Sequence, residues 1–317
     1  MKDIRIFCKR RQNKENVMKK GDMPALTMLS ILVCLLCMGL SGCGKTENTK
    51  EGLVVYTSIY PVYDFTVKLA GEYATVENLV PAGVEPHDFE MGTQDMVKLS
   101  EADLLVYSGA GMENWVDKSL ETLGGDAPMA VEAGEGISLL TEEDRSDPHV
   151  WLNPANAILM LENIKNALCE LDSVHADIFE ANYEKYKAEL VQLDESYKDA
   201  LAQVSKHDIV VSHASFGYLC AAYGLEQRPI EGLMADSEPD PATMSEIIAF
   251  MREKNIQFIF GEELVDNKVV DTIAKETDAV VEILDPIEGI SEERMKAGED
   301  YFSIMEKNLS VLKRALE

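Results

Sequence analysis

The feature that most limits the folds open to this chain is a long run without Gly or Pro in its second half. Its apolar and aromatic positions are Phe179, Tyr183, Tyr186, Leu190, Leu193, Tyr197, Leu201 and Val204. They recur at steps of 4, 3, 4, 3, 4, 4 and 3, the stripe of a single helix face. At 1.5 Å per residue, about 28 residues cover roughly 40 Å, enough to cross a two-lobe protein. On either side the pattern changes to short apolar runs alternating with helical stretches. Before the run, Leu53–Tyr56, Thr75–Val80, Leu104–Tyr107 and the segment from Ala130 read as strands. Pro61 opens a helix to about Ala70, and Asn153-Pro154, an N-cap followed by Pro at the first helical position, opens another to about Leu171. After the run, Ile209–Ser212, Gln227–Ile230, Gln257–Phe260 and Ala279–Leu284 read as strands. Helices are expected over Phe216–Tyr223 (closed by Gly224), from Asp240-Pro241 to about Lys254, over Lys268–Thr277, and from about Glu293 to the end. Strand–helix alternation predicts an α/β fold with mostly parallel sheets. Two lobes are expected, 53–172 and 206–317, each a mostly parallel sheet flanked by helices, joined by one long backbone helix within 173–205.

The N-terminus predicts where the chain resides. Residues 1–20 are rich in Lys and Arg, Pro24 to Leu40 is apolar except for Thr27 and Ser30, and Leu40-Ser41-Gly42-Cys43 follows. A basic segment, an apolar segment and small residues at the end form a secretory signal. The apolar part is short for a membrane span of about 20 residues. The Leu-Ser-Gly-Cys end resembles the lipobox of bacterial lipoproteins, in which cleavage precedes the Cys and the Cys carries the lipid. Residues 1–42 are thus expected to be a signal peptide, Cys43 a lipidation site, and 43–52 a polar tether on the extracytoplasmic face of a bacterial cell membrane. Met18 would serve as an alternative start.

Removing residues 1–42, with eight Lys/Arg and three Asp/Glu, takes the formal charge from −28 to about −33. Such a surface excludes nucleic acid as an expected partner and suits attraction of cations. Cys169 and Cys220, on expected helices and without CxxC spacing, read as buried free thiols.

Three of the five histidines occupy the same kind of place, after an extended or turn-like segment and before a helix. His87 lies in Gly83-Val84-Glu85-Pro86-His87-Asp88-Phe89-Glu90, His149 in Asp147-Pro148-His149-Val150-Trp151-Leu152-Asn153-Pro154, and His213 closes Ile209-Val210-Val211-Ser212-His213. Ligand sites of open α/β sheets collect at the carboxyl ends of strands, and imidazole is the commonest metal ligand. His213 and Asp285 end strands of the second lobe, while His87 and His149 belong to the first. Two ligands per lobe place a metal in the inter-lobe cleft, and three His with one carboxylate fit four-coordinate zinc. Ligand type alone also admits copper or nickel. Glu85 and Asp88 are candidates to orient His87. Glu262-Glu263 can equally contact the site or simply end a strand. Trp151 and Phe216 read as packing, His175 and His207 as surface.

These stretches, with Ser212-His213-Ala214-Ser215-Phe216-Gly217-Tyr218, Gly261-Glu262-Glu263 and Leu284-Asp285-Pro286, resemble the metal-specific solute-binding lipoproteins of ABC importers, the zinc/manganese family. The resemblance spans essentially the whole chain after the signal, and Asp-Pro-His-Val-Trp-Leu-Asn-Pro is its most specific part. It implies metal ligands His87, His149, His213 and Asp285, the last resting more on the family than on the pattern. In that family His at the third ligand goes with zinc and Glu with manganese or iron, so zinc is expected here and manganese is the alternative. Zinc-type members often carry a His-rich loop between the first two ligands. This chain instead has Thr141-Glu142-Glu143-Asp144-Arg145-Ser146, which reads as a solvated turn. The implied function is a monomeric, lipid-anchored receptor that captures a divalent metal ion and delivers it to an ABC permease in the membrane. A surface metallohydrolase, or an adhesin with a structural metal, are the competing classes. No His-Glu-x-x-His or Gly-x-Ser-x-Gly motif is present, and Ser212 beside His213 is a poor start for a triad with Asp285, so no enzyme is expected.

Overall fold

A computed structural model describes residues 52–142, 145–233 and 239–317. The signal, Cys43 and all but the last residue of the tether lie outside the described residues. Among those described, no helix is long and apolar enough to cross a membrane.

Two four-stranded sheets organise the chain. The first contains β1 (Leu53–Thr57), β2 (Ala74–Asn78), β3 (Leu104–Tyr107) and β4 (Met129–Glu132), ordered β2-β1-β3-β4 with every pairing parallel. The second contains β7 (Asp208–His213), β8 (Glu226–Glu231), β9 (Phe258–Gly261) and β10 (Val280–Ile283), ordered β10-β9-β7-β8, again parallel throughout. These are the two α/β lobes expected from the alternation. Parallel strands need crossovers, and helices supply them: α1 (Tyr60–Ala70), α2 (Thr93–Ser100) and α3 (Val116–Leu123) in the first lobe, and α6 (Gly217–Tyr223), α7 (Pro241–Lys254) and α8 (Lys268–Thr277) in the second.

Along the chain, α4 (Pro154–Leu171) and α5 (Ala176–Leu201) connect the strands of the first sheet to those of the second. Asn153 caps α4 by accepting the Ala155 amide at 3.0 Å, with Pro154 at the first helical position. Asp240 does the same for α7 through the amides of Ala242 and Thr243. The striped run is α5, with Phe179, Tyr183, Leu190, Leu193, Tyr197 and Leu201 buried along one face; Val204 falls past its end. One apolar cluster joins the lobes: Val55 and Leu104 of the first sheet, Val211 and Phe260 of the second, and Leu190 and Tyr197 of α5 all belong to it. The contacts accordingly do not separate the two lobes into two compact units.

The final helix is broken, contrary to the sequence expectation. α9 (Glu292–Lys296) stops before Gly298, whose φ of 85° is left-handed and favours glycine. Asp300 then starts α10 (Tyr301–Leu316) with a reciprocal cap between Asp300 and Ser303. Two buried tyrosines tie this helix down: Tyr301 Oη donates to Trp151 O at 2.6 Å, and Tyr197 Oη donates to Met305 O at 2.7 Å.

β5 (Thr141–Glu142) and β6 (Arg145–Ser146) pair antiparallel, and both are exposed. Tyr218 of α6 anchors the residues that flank them. Its hydroxyl accepts from Leu140 N and donates to Asp147 O, each at 3.0 Å. That contact fixes the residue two places before His149.

Candidate metal centre

Each of the three histidines is presented by a local backbone device, a tight turn for two of them and a strand end for the third. His87 sits in a single tight turn, Pro86–Asp88, whose N-cap Glu85 accepts the His87 amide at 3.4 Å. His149 precedes another such turn, Val150–Leu152, and its amide is held by Asp147 Oδ1 at 2.9 Å. His213 is the last residue of β7. The structure brings these three rings together, with centroids 5.1–6.0 Å apart.

The fourth member of the group is Glu288. One donor atom from each of His87, His149, His213 and Glu288 falls within 4.8 Å of every other. Glu288 Oε1 lies 2.9 Å from His149 Nε2, 3.1 Å from His213 Nε2 and 3.6 Å from His87 Nε2. Side-chain exposure is 2% or less for all four residues. Three Nε2 atoms and one carboxylate oxygen therefore converge on a point shielded from solvent.

Asp285 departs from the expectation. It stands outside this group because its carboxylate is already engaged: Oδ2 takes Arg294 Nη1 at 2.7 Å and Oδ1 takes the Ile287 amide at 2.8 Å. Its backbone is held too, with Asn308 accepting from Asp285 N and donating to Asp285 O. Asp285 thus braces the turn that presents Glu288. In that turn Ile287 adopts φ 61°, a costly conformation for a β-branched residue, which persists where the surroundings over-determine it. Trp151 Nε1 supplies a further restraint, donating to Pro286 O at 2.8 Å. Trp151 is therefore packing and hydrogen-bonding at once: it is fully buried, beside His149, and it links the first lobe to the Glu288 turn.

Two carboxylates orient the imidazoles from behind. Asp147 Oδ1 sits 2.8 Å from His149 Nδ1, and Glu262 Oε1 sits 2.7 Å from His213 Nδ1. A histidine that gives its Nδ1 proton to a carboxylate offers the Nε2 lone pair forward, the arrangement that metal-binding histidines require. Asn267 steadies Glu262 by accepting from its amide and donating to its carbonyl. This resolves the Glu262-Glu263 pair, since Glu262 is buried behind His213 and Glu263 is exposed. Asp88, expected as an orienting group, is exposed. Replacing Glu262 by Gln is expected to weaken metal binding about tenfold, the lower end of the effect of losing such a partner. Competitive titration of the folded variant checks this, and unchanged affinity would remove the orienting role.

The charges are mutually adjusted. Burial opposes a charged His213, but Glu262 and Glu288 outweigh it and hold the imidazole well above its ordinary value. His149 is likewise raised, with burial opposed by Asp147 and Glu288. Burial also works against the Glu288 carboxylate, yet His213, His149 and His87 pull it well below the usual range. Glu85, half-buried and facing Glu288, is pushed up to about 9 by burial and by that negative neighbour. Both ring nitrogens of His87 and Oε2 of Glu288 are buried without a hydrogen-bond partner. Unsatisfied buried polar atoms are rare and costly, and a cation at the convergence point would satisfy His87 Nε2.

The other histidines lie elsewhere. His207 is exposed, while His175 is partly buried, bonded through Nδ1 to Asp172 Oδ2 at 2.6 Å and stacked on Tyr73. Cys169 and Cys220 are free thiols; Cys220 is buried and Cys169 only partly so.

Comparison with known proteins agrees with this picture. The zinc-binding lipoprotein AdcA of Streptococcus pneumoniae (strain ATCC BAA-255 / R6) is 36% identical over 305 residues, which cover 91% of this chain and 61% of AdcA. The chain thus spans about three fifths of that relative's length. The high-affinity zinc uptake system protein ZnuA of Bacillus subtilis (strain 168) is 34% identical over 300 residues, covering 90% of this chain and 94% of ZnuA. Among solved structures, the Zn(II)-bound ZnuA-like domain of S. pneumoniae AdcA matches with a TM-score of 0.76 and 38% identity, covering 84% of this chain and 99% of that domain. The family model described as zinc-uptake complex component A, periplasmic (ZnuA), matches residues 55–315. With its two parallel-sheet lobes and buried three-histidine, one-carboxylate centre, this chain belongs to the ZnuA family of zinc-uptake components.

Proposed function

We propose that this chain is the extracytoplasmic receptor of an ABC importer, that it captures one zinc ion between lobes 53–172 and 206–317, and that it delivers the ion to a permease. The ligands in this reading are His87, His149 and His213 through Nε2, and Glu288 rather than the Asp285 implied by the family resemblance. The observation that carries it is the convergence of three Nε2 atoms and a carboxylate oxygen in a buried centre, with two of the rings held by carboxylates at Nδ1. Imidazole nitrogen suits zinc, whereas manganese favours sites richer in oxygen. Four protein donors fill a tetrahedral shell and leave no open position for a reactive water, which fits a carrier rather than a hydrolase. Anchoring through lipid on Cys43 and a monomeric state complete the proposal.

The test is metal analysis of protein prepared without residues 1–42, followed by chelator stripping and competitive titration of zinc against manganese. One tightly held zinc per chain, with manganese much weaker, is the expected result. Preference for manganese would reject the zinc assignment, and absence of any stoichiometric metal would reject the site.

A further inference from the structure

A small cavity is lined by Glu288 of the metal centre and by residues that hold it. Its volume is about 10 Å³, close to the space one water-sized sphere needs. Its walls are unusually acidic: Glu85, Glu262, Glu263, Asp285 and Glu288 all line it. Two of the five are occupied structurally, Asp285 by Arg294 and Glu262 by His213. The remaining three form a gradient of burial. Glu263 is exposed, Glu85 is half-buried, and Glu288 is buried with a side-chain exposure of 2%. Glu288 uses Oε1 toward the histidines, while its Oε2 is buried and has no hydrogen-bond partner. Glu85 faces Glu288 as well. Carboxyl oxygens thus line this cavity from exposed Glu263 to the metal centre, and Oε2 of the innermost, Glu288, has no hydrogen-bond partner.

A cation leaving water must replace its hydration shell step by step, and desolvating it without such replacement is costly. Two other cavities reach the centre: one of about 300 Å³ at Glu288, walled largely by Tyr60, Tyr63, Val80, Ile290 and Met295, and a groove of about 710 Å³ at His87. The walls of the groove include Phe89, Met91, Met96, Met112 and Trp115, with Asp88 and Glu90 also present. Much of the wall of both is aromatic, aliphatic or thioether, which substitutes poorly for the oxygen shell of a hydrated divalent ion.

We propose that the cavity lined by Glu263, Glu85 and Glu288 is the route by which a divalent cation enters and leaves the histidine centre, Glu263 being the first protein oxygen it meets. The proposal rests on the metal-centre reading above. A group that stabilises passage, rather than the bound state, changes the rates of entry and exit together and leaves the equilibrium nearly unmoved. Simple attraction of the ion toward the bound position would instead change affinity.

Stopped-flow mixing of chelator-stripped protein with zinc, followed by Trp fluorescence, reads entry; mixing the zinc-loaded protein with excess chelator reads exit. Glu263→Gln is expected to slow both by about three- to tenfold, the low end of electrostatic effects on association, with the dissociation constant within about twofold of wild type. Glu263 is exposed, so folding is not at stake. The double variant Asp88→Asn/Glu90→Gln, in the groove at His87, is expected to match wild type. Unchanged rates in Glu263→Gln, a loss of affinity without slower exit, or equal slowing by the Asp88/Glu90 pair would each overturn the route. Wild-type protein that binds no zinc would remove the centre and the route together, whereas wild type that binds with Glu263→Gln unaltered would remove the route alone.

Discussion

Replacing Glu288 by Gln is expected to lower zinc affinity by about a thousandfold, roughly 4 kcal/mol, while Asp285→Asn lowers it far less and destabilises the fold instead. Losing an orienting partner alone costs about 10- to 100-fold, and loss of a direct ligand exceeds that. Glu288 also supplies the negative charge nearest three imidazole nitrogens, at 2.9–3.6 Å. The amide keeps the shape but not the charge, so the cation would be left among neutral ligands with no negative charge in contact to offset its own. Asp285 has different neighbours. Its carboxylate holds Arg294 and the Ile287 amide, and Asn308 clasps its backbone. Weakening that buried pair leaves Arg294 underpaired and the Ile287 turn less restrained, a stability effect first. Zinc titration and thermal unfolding of both variants separate the cases. A large affinity loss in Asp285→Asn, with Glu288→Gln close to wild type, would restore Asp285 as the ligand.

Zinc affinity is expected to rise with pH over the range in which metal-free protein loses stability. The imidazoles must be neutral to bind, and His213 and His149 are held above their ordinary values in the absence of metal. Each proton that binding must displace lowers affinity by about tenfold per pH unit below the pKa of that group. For the metal-free fold the signs run the other way. A histidine raised on folding contributes stability that is complete below its unfolded value, about 6.5, and is lost as pH rises through its folded value. Glu288, lowered on folding, contributes stability present above about 4.5 that is lost as pH falls through its folded value. The charged cluster therefore supports the empty protein best between about pH 4.5 and 6.5. Melting of stripped and zinc-loaded protein from pH 5.5 to 8.5 is expected to show zinc stabilisation growing with pH. A constant difference across that range would contradict the linkage.

How much of this was legible before any coordinates depended on how local each determinant is. Asn153-Pro154 and Asp240-Pro241 start helices through bonds to amides two or three residues away, so both boundaries could be read directly. His213 could be read because parallel α/β sheets place ligands at strand ends, while His87 and His149 stand in short turns marked by Pro86 and Pro148. The carboxylate could not be assigned the same way. Asp285 and Glu288 share one Pro-containing turn, and Arg294, nine positions on, decides between them by occupying Asp285. The one signal available was a second acidic residue in that turn, before Gly289. Glu262 and Glu263 posed a similar problem: β9 is buried on both faces, so alternation along it carries no information about which of the next two side chains turns inward. Asp147, behind His149, lies within the same motif, but adjacency to a histidine marks Glu85 and Asp88 beside His87 equally well, so sequence does not single it out. The break at Gly298 needed its positive φ to be seen.

The apolar cluster that runs unbroken from the first sheet through α5 to the second bears on the heat of binding. A receptor whose halves met only through the ion would cover fresh apolar surface as it closed, and a marked negative heat-capacity change would accompany uptake. Here that surface is already covered between the sheets, and Trp151 and Tyr301 bond across it. Zinc uptake by this chain should therefore carry little heat-capacity change, its thermodynamics being those of proton release and dehydration of the ion rather than of hydrophobic closure.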